Sequence, residues 1–138
     1  MKINKIFRTA IINEIKFVLK KMKESTSFEK KLFYFSAIPA EFLRVLNLEY
    51  DQDILYIYHV INHTHIAFQQ RIRAIKAGDT IVAIDDRQLD RLERLLADIL
   101  DAVEQNKKID NVLKVFIELA YSTGGNGYYL MEKGLLKI

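Results

Sequence analysis

From Asp51 to Ala77 the chain reads DQDILYIYHVINHTHIAFQQRIRAIKA, without proline or glycine until Gly78. That run commits the chain to a long helix. At about 100° per residue, Ile54, Ile57, Ile61, Phe68, Ile72 and Ile75 share one apolar stripe, with His65 on its edge. Behind it runs a second line, Gln52, Tyr56, His59, His63 and Gln70. A helix with a core stripe in front and a polar, aromatic-rich stripe behind is expected to touch something on both sides. Asp51 or Asp53 is the natural N-cap of this helix, and Gly78 its left-handed stop.

The flanking sequence repeats the helical period. Ile3, Ile6, Phe7, Ala10, Ile11, Ile15, Val18, Leu19 and Met22 predict a first helix from about Ile3 to Lys23, with Lys2, Lys5, Lys16, Lys20 and Lys23 on its opposite arc. Thr26-Ser27-Phe28-Glu29 has the form of a capping box, in which a hydroxyl takes an orphan N–H and the glutamate reaches back. The next stretch is aromatic (Phe28, Phe33, Tyr34, Phe35) and is expected to break or kink near Pro39, restarting with Phe42, Leu43 and Leu46 as its apolar side. Residues 79–84 are short and β-branched, and read as an extended connector. Asp85-Asp86 caps a further helix running to about Asn106, with Leu89, Leu92, Leu96, Ile99 and Val103 inward and Asp90, Arg94 and Asp98 on a solvated charged face. A last long helix is expected to start near Asp110 and stop at Gly124-Gly125-Asn126-Gly127, and the tail from Tyr128 to Ile138 has room for one more short helix.

One proline and five glycines among 138 residues leave too little turn-forming material for a β-sandwich. The expected fold is an all-α bundle of four to six helices in a single domain over residues 1–138. The absence of cysteine removes disulfides, thiolate nucleophiles and cysteine-bound metals, and suits a reducing, cytoplasmic address. No apolar run approaches a membrane span, since the stretch Ile54 to Ile61 is already interrupted by His59. Lysines recurring through the N-terminus do not form a signal peptide.

The function classes narrow by chemistry. His59 and His63, four apart on a helix, could both reach one divalent ion, but a site needs a further ligand and His65 points to another side. There is no HExxH, nor the paired ExxH of di-iron bundles, so no metal and no cofactor is assigned. No serine elbow or carboxylate pair marks a catalytic residue, and none is assigned. Charge is uneven. Residues 1–31 carry nine Lys/Arg against three Glu, which is +6 by subtraction, and leaves −3 for the remainder of a chain whose net charge is +3. Lys5, Lys16, Lys20 and Lys23 could therefore lie along a phosphate backbone, although the stripe is expected to lack interleaved exposed aromatics.

The apolar arcs of the first and last long helices are wider than one small bundle needs, and surplus apolar surface marks interfaces. The sequence thus reads as a non-enzymatic protein–protein interaction module that self-associates, burying the Tyr56/His59/His63/Gln70 face or the first helix. The alternatives are a nucleic-acid-binding subunit using the lysine stripe and a bundle binding metal or a small molecule on the His59/His63 face.

Overall fold

The computed structural model describes residues 1–78, 86–124 and 133–134. The described elements are all helical: α1 (Lys5–Glu24), α2 (Phe28–Phe35), α3 (Ala37–Leu48), α4 (Gln52–Lys76), α5 (Asp86–Gln105) and α6 (Asp110–Gly124). This is the all-α bundle that the periodicity predicts.

Local chemistry fixes most of the boundaries. The Asn4 side chain accepts the N–H of Ile6, so α1 starts two residues later than its apolar pattern, and Ile3 is buried just ahead of it. The expected capping box is shifted by one residue. Ser27, not Thr26, is the N-cap, and its hydroxyl accepts from Lys30, so Glu29 lies one position short of where it could reach back. Pro39 has no N–H to give the Phe35 carbonyl, and the chain divides at Ser36. The break therefore precedes Pro39, which sits buried in the first turn of α3, where a missing donor costs little. Asp51 caps α4 by accepting from Ile54 at 3.0 Å, and Gly78 follows its end at φ 90°, a backbone region that side chains disfavour. Asn106, at φ 51°, ends α5 in the same way.

α4 packs against α2, α3 and α6, while α1 closes the bundle against α2, α3 and α5. One apolar cluster draws on all six helices, with Ile15, Phe35, Phe42, Ile61, Leu92 and Phe116 essentially inaccessible. Each such side chain contributes roughly 1.5–3 kcal/mol by leaving water. All five predicted core positions of α5 are buried, joined by Leu95 and Ala102.

Three apolar assignments do not hold. Ile6, Leu43 and Ile75 are exposed at 73%, 50% and 41%, and Ile72 is half-buried. α2 runs beside the later turns of α4, from Phe35 against His65 to Glu29 paired with Lys76, and Ile75 lies outside that contact. Beside the apolar stripe of α4, Thr64 and Ala67 are also buried. Thr64 is fully inaccessible, and its hydroxyl donates to the Val60 carbonyl at 2.9 Å, which meets the cost of burying it. The connector expected over 79–84, the Asp85 cap, the glycine turn after Gly124 and the short tail helix lie outside the described residues.

Candidate functional site

The line of residues behind the core stripe of α4 keeps its predicted alignment. Gln52, Tyr56, His59, His63 and Gln70 are all exposed, and Ile66, 39% exposed, completes the row. Within the described residues no helix covers this face. Gln52 donates to the Tyr56 hydroxyl one turn on, and the His59 ring lies 5.3 Å from that of Tyr58. From Gln52 to Gln70 the exposed row holds no lysine, arginine or carboxylate, whereas both ends of the helix are charged. Glu49, Asp51 and Asp53 lie at its start, and Arg71, Arg73 and Lys76 at its end.

Those acidic groups are engaged elsewhere, which bears on the metal reading. Asp53 takes the Met1 amino group at 2.7 Å, Asp51 takes the N–H of Lys2 at 2.8 Å, and both Glu49 oxygens take the N–H of Asn4 at 3.2 Å. Burial pushes the Asp51 carboxyl up, but the N–H groups of Lys2, Ile54 and Asp53 and the nearby ammonium outweigh it, so its pKa is lowered. Among the described residues no three His, Cys, Asp or Glu side chains converge as a metal site would require, and His59 and His63 stay a pair.

His65 lies where the sequence places it, on the margin of the core. Its ring stacks on Phe35 with centroids 6.0 Å apart, and burial lowers its pKa. It opens into a groove of about 360 Å³ between α2 and α4, lined among others by Leu32, Phe33, Gln69 and Arg73. An ion pair between Lys76 and Glu29, 3.0 Å long, spans its rim. Sequence reasoning missed this groove because its walls come from two helices, and no spacing within either one announces it.

The lysine stripe of α1 is exposed at Lys5, Lys16, Lys20 and Lys23. Lys16 lies 3.2 Å from Glu104 of α5, an exposed pair of little energetic weight. The expectation that no exposed aromatic stands among these lysines is corrected by Phe17. It is 52% exposed, with the Lys21 ammonium 5.6 Å from its ring centre. One ring still falls short of the successive platforms on which single strands stack. No helix of the described residues is long and apolar enough to cross a membrane. No family model, curated protein or solved structure matches the chain.

Proposed function

We propose that this protein is a non-enzymatic helical-bundle module of the cytoplasm whose work is protein–protein contact, including contact with itself. The core shared by all six helices supports treating the chain as one domain. The observation that carries the functional reading is the outer face of α4. In a chain with 28% charged residues, a row about 27 Å long contains none, and places Tyr56 and Ile66 where water alone would favour lysine and glutamate. Depletion of charge with enrichment of tyrosine is the composition of an interface centre. Exposed Phe33, Leu48 and Ile117, at 70%, 67% and 55%, add to the surplus. Size exclusion with light scattering across roughly 10–200 μM, the range of a modest interface, is the test. Masses rising above 16.2 kDa are expected, and a monomer throughout would overturn the reading.

A second reading, binding of nucleic acid along α1, is favoured by Phe17 standing exposed beside the lysines. It makes a salt prediction. Log affinity should fall linearly with log salt, and Lys20→Gln with Lys23→Gln should reduce the slope by about two. Indifference to both changes would end this reading.

A further inference from the structure

The exposed row on α4 has a hidden symmetry. Its members pair about the level of Ile61: 52 with 70, 56 with 66, and 59 with 63 each sum to twice that number. The chemistry pairs in the same way, as amide with amide, tyrosine with isoleucine, and imidazole with imidazole. A second α4 laid antiparallel on the first, with the two-fold axis level with Ile61, would set Gln52 beside Gln70, Tyr56 beside Ile66 and His59 beside His63 at matching heights. We infer that the occupant of this face is a second copy of the chain in that antiparallel arrangement. The inference rests on the reading of the protein as a self-associating module, and specifies its partner surface.

Charge selects the direction. The start of α4 is acidic, with Asp51 and Asp53 and with Glu49 just before the helix, and its end is basic, with Arg71, Arg73 and Lys76; Asp53 and Lys76 each also hold an ion pair within the chain. Antiparallel docking brings the basic end of each α4 towards the acidic start of the other, where Asp51 and Asp53 stand, and opposes the helix dipoles. Parallel docking would set like charges together at both ends. Nothing charged lies between, so no ion is buried unpaired at the centre. Isologous contact of this kind closes at two copies and does not propagate into a filament. The face is small. A strip about 27 Å long and 10 Å wide falls short of the ~800 Å² per partner of a standard interface. The dimer is therefore a concentration-dependent one.

The chain has no cysteine, so introduced thiols report without background. In the antiparallel pair, position 56 lies level with 66 of the other copy but about 15 Å along the axis from its own counterpart. Tyr56→Cys and Ile66→Cys, both at exposed positions, are treated with a thiol cross-linker spanning about 8 Å, about half that separation, separately and as a mixture. Covalent dimer in the mixture, with neither variant linking to itself, is expected. Ile66→Lys should weaken the dimer at least tenfold by light scattering. Self-linking of the single variants would mean parallel docking and overturn the inference. Wild-type oligomers that survive Ile66→Lys and give no cross-link would refute this face while leaving self-association intact. Wild type that stays monomeric, together with no cross-link in any arm of the two cysteine variants, would refute both.

Discussion

The two faces of α4 share a backbone, a helix and a stretch of sequence, and they differ in what decides their residues. Inward, Ile54, Ile57, Ile61 and Phe68 are all inaccessible, and the requirement is to fill space at the density of an organic crystal. Outward, Tyr56, His59, His63 and Ile66 are exposed, and among the described residues no other helix packs over them. An inner face can be read from periodicity because volume and polarity leave few choices. On an outer face nearly any polar residue folds equally well, so a departure from charge is informative about contacts beyond the chain.

The largest expected effect tests that contrast directly. Ile61→Ala should cost on the order of 2–5 kcal/mol, since it empties part of a packed core. His59→Ala, on the opposite side of the same helix, should stay within about 0.5 kcal/mol. Urea melts at a concentration where the protein is monomeric give both numbers, and similar costs would mean that α4 is rotated from its described phase. Leu96→Ala should behave like Ile61→Ala, because Leu96 is equally inaccessible on α5.

Asp51 sharpens the comparison at the corner where α4 begins. Its carboxylate caps the helix through Ile54 and also holds the Lys2 N–H, so Asp51→Ala should cost about 1–2 kcal/mol. The pKa of Asp51 is lowered from its ordinary 3.8, so this stability is fully present above that value and is lost as pH falls through the lower, folded value. Wild type and variant should thus converge in acid. A gap that stays constant down to about pH 2, well below the ordinary carboxylate range, would assign the cost to something other than the ionised carboxylate.

Much of this is legible in the sequence. A bundle of four to six helices, a cap at Asp51 or Asp53, the Gly78 stop, the inward leucines of α5 and the outward row of α4 all follow from spacing, because each depends on residues within one or two turns. What was missed depends on neighbours. Ile6 and Ile75 follow the apolar period yet are exposed, because the period marks a face of one helix and does not say which part of that face a neighbour covers. Thr64 reads as polar but is buried, since its hydroxyl is satisfied within its own helix. Phe17, off the apolar arc of α1, escaped notice as an exposed ring. The His65 groove needed two helices to exist. The capping box failed by a single residue, because Thr26 and Ser27 carry the same hydroxyl and only the backbone decides which one caps.

His65 sits on the seam between the two faces, and predicts the smallest and most specific effect. Its ring is half-buried against Phe35, and burial disfavours the imidazolium. Its folded pKa thus lies below the ordinary 6.5, so between the two values the unfolded chain binds the proton more readily than the folded one. Protonation then favours unfolding. The contribution of His65 to stability should be full above about pH 7.5 and decline as pH drops through 6.5, levelling once the folded value is passed. His65→Gln keeps a polar side chain that cannot take up the proton, while His59 and His63 remain on the exposed face. Urea midpoints for wild type and variant at pH 8 and pH 5, on either side of the ordinary histidine value, isolate this residue. The wild type should lose ground relative to the variant at the lower pH. Equal gaps at both would mean that the seam is as well hydrated as the outer face, and the boundary between the two faces would have to move inward past His65.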